Sequence, residues 1–246
     1  MGFWPIVRTV VKKSDIILFI LDVRMPELSR NRALEMMISL NNKMLINVFN
    51  KIDLVSDTYL RDIMAKYKGA FFVSGTQNMG ISRLRTELFI IAKQHKINDP
   101  IIGVVGYPNV GKSAIINALA HRARAKVSGH AGTTRGIQWI KAGGLFIMDS
   151  PGVIPFEDGS VKLGILGSKD PDKIGNIEGI AIKIADMFLG YNKKIFEDLY
   201  NVNLPNDNIL EELARKKGFL LKGGIPDERR AALQIIKDWQ NGKLRL

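Results

Sequence analysis

Gly106-Tyr107-Pro108-Asn109-Val110-Gly111-Lys112-Ser113 is the stretch of this 246-residue chain from which the fold can be read. Its Gly-x4-Gly-Lys-Ser spacing lets backbone N–H groups curl around a β-phosphate, sends a lysine to the β/γ oxygens and offers a serine hydroxyl to Mg²⁺. A P-loop of this kind needs a strand before it and a helix after it. Ile101-Ile102-Gly103-Val104-Val105 reads as a buried parallel strand, and Ala114-Ile115-Ile116-Asn117-Ala118-Leu119 as a helix whose N-terminal dipole faces the phosphates. Asn109, Val110, Gly111, Lys112, Ser113 and Ala114 are therefore expected to hold a nucleoside triphosphate, with Lys112 stabilising the charge that develops in phosphoryl transfer. The loop alone leaves the base unspecified.

Upstream, Asn50-Lys51-Ile52-Asp53 supplies a base reader. A carboxylate accepts both the ring N–H and the exocyclic amine of guanine, whereas adenine would face it with an acceptor. Ser74-Gly75-Thr76 follows the apolar run Ala70-Phe71-Phe72-Val73, where a backbone N–H meets the guanine O6 oxygen. Singly these are ordinary turn sequences; their agreement with the phosphate loop within one α/β pattern gives them meaning. The base motif precedes the phosphate loop, the reverse of the usual order.

Downstream lie Gly132-Thr133-Thr134-Arg135 and, after the strand-like Leu145-Phe146-Ile147-Met148, Asp149-Ser150-Pro151-Gly152. Thr133 and Thr134 fit a switch loop whose threonine joins Mg²⁺ only while the γ-phosphate holds the loop in; Asp149 fits a metal-coordinated water, and Gly152 the γ-phosphate itself. Ser113, Thr134 and Asp149 form the expected Mg²⁺ set. Lys112, Thr134 and Asn109 are the catalytic candidates.

Strand-like runs at 15–21, 44–49 and 70–73 precede the phosphate loop, and runs at 137–142 and 145–148 follow it. Helical stretches separate the first three. Alternation of this kind predicts an α/β fold with a mostly parallel sheet and right-handed crossovers, so both ligand motifs reach the carboxyl edge of one sheet whatever their order in the chain.

These residues resemble the circularly permuted GTPases of the YlqF/YawG type, a family implicated in large ribosomal subunit assembly. The similarity extends to Asp22-Val23-Arg24-Met25-Pro26-Glu27-Leu28-Ser29-Arg30-Asn31, which is similar to the family's Asp-Ala-Arg-x-Pro…Arg-Asn segment, and to Ala214–Gly224, which is similar to its C-terminal domain. The resemblance implies GTP hydrolysed to GDP with Mg²⁺, and a nucleotide-switched factor that binds rRNA and the large subunit or its precursor. It implies no DNA or membrane partner and a monomer off the ribosome. The different-class alternative is a protein-recruiting switch that hydrolyses little GTP. Asn109 is the residue where GTPases of this sort often bind K⁺, giving a candidate K⁺ site beside the plain reading of a turn-former after Pro108. The family's N-terminal Trp-x-Pro-Gly-His-Met segment has no full counterpart in Met1–Arg8, so the role of its histidine does not carry over; His130 is the only candidate substitute by position.

Where many GTPases place a water-orienting Gln, this chain has Val153, which cannot position water by hydrogen bonding. Slow intrinsic turnover is expected, with activation by the ribosome, another chain segment or a monovalent cation.

Length divides the chain into a permuted GTPase domain, 1–155, and a helical RNA- and ribosome-binding domain, 156–246. In the second part Asn176–Leu189 has helical periodicity, Asp207 is a plausible N-cap for Asn208–Lys217, and Pro226 opens a helix carrying Ala232, Ile235, Ile236 and Trp239 on one face before Gly242 stops it. An all-α bundle is expected. The net charge of +12 suggests a polyanionic partner, yet residues 1–156 hold 21 Lys/Arg against 10 Asp/Glu while 157–246 hold 15 against 14. Arg122, Arg124 and Lys126 cluster on the approach to the switch, and Arg215, Lys216, Lys217, Lys222, Arg229 and Arg230 form a local basic face. Zero cysteines exclude a disulfide framework and a Cys-based zinc site, which with the short stretch before Asp15 argues against the permuted small-subunit GTPases. No signal pattern or long apolar run is present, so a cytoplasmic protein is expected.

Overall fold

A computed structural model describes residues 3–121, 137–155, 158–171 and 174–246. Two compact units emerge, Met1–Asp53 with Ile63–Phe156, and Leu54–Asp62 with Glu157–Leu246. The second unit therefore draws in Leu54–Asp62, a segment that a single cut near 155 would leave in the first.

The first unit is built on a six-stranded sheet: β1 (Ile16–Asp22), β2 (Met44–Asn50), β3 (Phe71–Phe72), β4 (Ile101–Val105), β5 (Gln138–Ala142) and β6 (Leu145–Asp149), ordered β3-β2-β1-β4-β6-β5. All neighbours pair in parallel except β5, an antiparallel edge strand. The mostly parallel α/β architecture expected from the sequence is what is found. Central β1 reads Ile-Ile-Leu-Phe-Ile-Leu-Asp and is buried at every position, as a strand covered on both faces should be. Helices α1 (Trp4–Lys13), α2 (Arg32–Leu40), α3 (Asp57–Lys66), α4 (Ile81–Gln94) and α5 (Lys112–His121) complete the succession before β5. Asn31 starts α2 by accepting the Leu34 N–H at 3.0 Å. Arg85 on α4 donates to the carbonyls of Leu119, Ala142 and Gly143, tying the end of α5 to the β5–β6 turn.

The second unit contains α6 (Ser160–Ile165), α7 (Ile177–Leu189), α8 (Lys193–Tyr200), α9 (Ile209–Lys217) and α10 (Glu228–Gln240). Phe188, Phe196, Tyr200 and Trp239 form its aromatic centre. Trp239 Nε1 donates to the Ile165 carbonyl at 2.9 Å, and the buried Asp238 takes donors from Tyr200, Gln234 and Lys243 at 3.1, 2.8 and 3.0 Å. The Leu246 N–H donates to Leu54 at 2.9 Å, and Ser56 N–H returns a bond to Leu246.

Two helix starts differ from the sequence reading. Asn206 Oδ1 accepts the Asn208 N–H at 2.9 Å, and this Asx turn moves the start of α9 to Ile209 with Asn208, not Asp207, at the cap position. Pro226 is paired in an isolated bridge with Leu220, so α10 begins one residue past Asp227, whose side chain accepts the Arg230 N–H at 3.0 Å.

Candidate nucleotide site

Four parallel strands deliver the motifs to one edge of the sheet. Asn50 ends β2, Ser74-Gly75-Thr76 follows β3, the phosphate loop follows β4, and Asp149 ends β6. Three glycines record how closely these segments converge. A Cβ on Gly111 (φ 95°) would lie 2.1 Å from Asn50 Nδ2; on Gly75, 2.8 Å from the Ile115 nitrogen; on Gly152, 2.5 Å from the Pro108 nitrogen. Only hydrogen fits at these approaches.

Asn50 is buried, and both ends of its amide are used. Nδ2 donates to the Val110 carbonyl at 2.9 Å and Oδ1 accepts the Gly75 N–H at 3.0 Å. It is thus a strut joining the phosphate loop to the Ser-Gly-Thr loop. The Ser74 and Thr76 hydroxyls lie 3.2 Å apart, and Ser74 Oγ also accepts the Gln77 N–H, which fixes that loop. Asp53 Oδ1 is buried with no hydrogen-bond partner among the described residues. A buried acceptor is costly unless a donor arrives, and the N–H edge of guanine is a donor of the kind this acceptor fits.

Lys112 is buried, its ammonium donating to the Tyr107 carbonyl at 2.7 Å and the Gly106 carbonyl at 3.3 Å. Burial pushes its pKa down to about 8, with the Asp149 carboxylate working against that shift. Its cage of loop carbonyls is the kind of site an incoming phosphate completes. Asn109 occupies the left-handed region at φ 62°, a conformation asparagine tolerates better than most residues. Ser113 is exposed in the first turn of α5, and Asp149 is buried at the end of β6. Hydroxyl and carboxylate are hard oxygen donors of the class Mg²⁺ selects. Ser150 Oγ donates to Val104 at 2.7 Å, anchoring the start of the Asp-x-x-Gly turn to β4. Val153 is 2 % exposed, and its carbonyl accepts from Asn31 Nδ2 at 3.5 Å.

Thr133, Thr134, His130, Arg122, Arg124 and Lys126 lie outside the described residues. The remaining expected site residues, Asn50 to Asp53, Ser74 to Thr76, Asn109 to Ala114, Asp149 and Gly152, lie at one edge of the first unit's sheet.

Sequence reasoning assigned no chemistry to Asp22. It is 1 % exposed and receives Arg24 Nη2 at 2.9 Å and Lys51 Nζ at 2.8 Å. Burial alone would raise this carboxyl; Arg24 and Lys51 together hold it well below the usual carboxylate range. Its motif was visible in sequence, its contact with Lys51 was not.

Comparison with known proteins agrees with this geometry. The family described as "50S ribosome-binding GTPase" matches residues 101–194, the portion from the phosphate loop onward. Asn50–Asp53 precedes that match, as a reversed motif order requires. An uncharacterised GTP-binding protein of Methanocaldococcus jannaschii is 37 % identical over 97 % of this chain and 65 % of its own length. Nuclear GTP-binding protein NUG1 of Saccharomyces cerevisiae is 31 % identical over 97 % of the chain and 54 % of its length. The chain thus spans somewhat over half of each of these two relatives. Among solved structures, YlqF of Thermotoga maritima superposes with a TM-score of 0.63 in its GNP-bound form and 0.64 bound to GDP, at 21 % and 22 % identity, covering 97 % of this chain and 93 % and 95 % of those chains. The chain therefore shares the fold of YlqF, with its Asn-Lys-x-Asp motif ahead of the phosphate loop, the motif order of circularly permuted GTPases.

Proposed function

We propose that the chain hydrolyses GTP to GDP and acts as a nucleotide-switched factor in assembly of the large ribosomal subunit, contacting rRNA through its helical unit and working in the cytoplasm as a monomer off the ribosome. The observation that carries the nucleotide half is the Asn50 strut, which joins the base-reading and phosphate-binding loops beside the open acceptor of Asp53. The ribosomal half is supported by relatives described as a 50S ribosome-binding GTPase family and a nuclear GTP-binding protein. The domain cut near 155, with 156–246 as the RNA-binding part, belongs to this proposal.

Backbone N–H groups of residues 109–114 bind the phosphates, Lys112 meets the β/γ oxygens, and Thr133, Thr134 and Gly152 read the third phosphate. Ser113, Thr134 and Asp149 are the residues that would hold Mg²⁺, which would neutralise phosphate charge. Val153 is buried and offers no polar group to an attacking water, so turnover is slow until an external element completes the site. Asn109 is the candidate ligand for K⁺ in that role. The same burial of Val153 favours, as a second reading, a switch that recruits a protein partner with little hydrolysis.

GTPase rate measured with purified large and small ribosomal subunits, in K⁺ and in Na⁺, separates these readings. Stimulation by the large subunit in K⁺ supports the first. Equal rates in all four conditions, with guanine nucleotide bound, leave the second.

A further inference from the structure

The segment Asp22–Asn31 is buried at Asp22, Arg24, Ser29 and Asn31, yet none of these side chains has a place in phosphate chemistry. Polar groups are not buried without partners, and here the partners trace a path. The Asp22 N–H donates to Ser29 Oγ at 3.1 Å. The Asp22 carboxylate accepts the Arg24 backbone N–H and Nε, each at 3.1 Å, and Arg24 Nη2 at 2.9 Å. Its outer oxygen also receives Lys51 Nζ at 2.8 Å. Asp22 and Asn50 are register partners on adjacent strands, and the Val23 N–H donates to the Asn50 carbonyl at 3.0 Å. The guanine motif therefore leaves β2 against the end of β1.

Lys51 is the residue that needs holding. It sits in the left-handed region at φ 69°, a conformation unfavourable for a long side chain, and it occupies the turn that carries Asp53. Burial lowers its pKa, the Asp22 carboxylate opposes that shift, and Arg24 adds to it. Asp22 is thus the carboxylate bonded to both cations, with the Asp53 charge adding a weaker attraction for Lys51. Without Asp22, Arg24 and Lys51 would repel one another in a buried space, and the Lys51 side chain, the more exposed of the two at 20 %, would leave.

We propose that Asp22 is a positioning residue for guanine selectivity: by anchoring the Lys51 ammonium beside the end of β2, it fixes the strained turn that presents Asp53 to the base. This inference rests on the guanine-nucleotide reading of the site and assigns a role to the Asp-x-Arg element. Asp22 is buried and bonded to Arg24 and Lys51 rather than to the phosphate loop, so its loss weakens recognition of the base and leaves the phosphate loop's contribution intact.

The test compares GDP, IDP and ADP affinities by calorimetry for the full chain and for Asp22→Asn. GDP affinity is expected to fall at least tenfold and ADP affinity less than twofold, so that the GDP-to-ADP ratio collapses. IDP, which lacks the exocyclic amine accepted by Asp53, is expected to lose less than GDP. Lys51→Met in the Asp22→Asn background is expected to add little further loss, because both changes remove one anchor. Should Asp22→Asn not fold, Asp22→Asn/Arg24→Gln, with no unbalanced pair of cations, carries the same comparison. Proportional weakening of GDP and ADP, or an unchanged ratio, overturns the proposal. A full-length protein with no preference for GDP over ADP would instead overturn the reading of the site on which it rests.

Discussion

Lys112 gives the site a pH dependence whose size is set by its burial. With a pKa of about 8 in the free protein against 10.5 for an unperturbed lysine, about a tenth of the side chains are neutral at pH 7, about half at pH 8 and about three-quarters at pH 8.5. Phosphate oxygens at the loop restore the charged form, so binding GDP must draw in a proton from solvent. Uptake per bound nucleotide should rise from about 0.1 at pH 7 through about 0.5 at pH 8 to about 0.75 at pH 8.5, with affinity falling about fourfold over that range. Stability responds in the opposite direction. Between about pH 8 and 10.5 the unfolded chain holds more protons than the folded one, so the free protein gains stability as pH rises through that window. Below pH 8 the fold carries the whole burdened ammonium, about 3 kcal/mol as an order of magnitude.

Calorimetric titration with GDP in buffers of differing ionisation enthalpy measures the uptake directly. Lys112→Met should bind GDP more weakly and show no change of uptake between pH 7 and 8.5. A wild-type uptake below about 0.2 at pH 8.5, or uptake that persists in Lys112→Met, would refute the assignment of this proton to the carbonyl-caged lysine.

Other consequences concern packing and charge. A Cβ at Gly152 would meet the backbone of Pro108 at 2.5 and 2.7 Å, atoms that cannot swing aside; Gly152→Ala should weaken a non-hydrolysable GTP analogue at least tenfold and GDP distinctly less, as read by fluorescent-nucleotide displacement. Asp238→Ala strips the buried Tyr200 hydroxyl, Gln234 and Lys243 of their shared acceptor, and urea unfolding of the helical unit should show a loss of about 2–4 kcal/mol. For rRNA, the basic face divides. Arg215 and Lys216 pair with Glu211 and Glu212 on their own helix at 2.8 and 2.6 Å, whereas Lys217, Lys222 and Arg229 have no acidic partner among the described residues. Charge reversal of those three should flatten the dependence of rRNA affinity on salt more than reversal of Arg215 and Lys216, and equal slopes would remove this face from the interface.

Patterns that depend on nearest neighbours were legible in the sequence. Ile101–Val105 is a strand with the same limits as read, Ile16–Asp22 is shifted by one residue from its run and Met44–Asn50 is one residue longer than its run, because continuous apolar stretches mark strands buried on both faces. The expected Ala70–Val73 strand shortens to Phe71–Phe72, since it lies at the sheet's edge and only Val48 and Phe49 face it. Helix starts were less legible, because Asn206 competes for the Asn208 N–H and the bridge to Leu220 occupies Pro226. Contacts across long separations left no local signal. Nothing in Leu54–Asp62 announces that it packs with residues after 157, and nothing in Asn50-Lys51-Ile52-Asp53 says that its lysine ends on Asp22 while its asparagine spans two loops.

The reversed motif order and the intact site are consistent for one physical reason. Parallel strands share a polarity, so every carboxyl end lies at the same sheet edge. Assembly of the pocket then requires only that β3, β2, β1, β4 and β6 be neighbours in that order, and backbone pairing and burial enforce it without reference to which strand comes first in the chain. Side chains then bind the ends to each other, with Asn50 crossing from β2 to the loop after β4 and to the loop after β3, and Asp22 crossing from β1 to Lys51. None of these bonds depends on the covalent order of the segments it joins. Permutation changes only the destination of the chain beyond Asp149-Ser150-Pro151-Gly152: here, after Pro155, it continues toward α6 and the helical unit rather than into another strand of the sheet. A shift of the Gly152 segment with the third phosphate would therefore pull on one of the covalent connections into that unit, another being the Asp53–Leu54 link directly after the base motif.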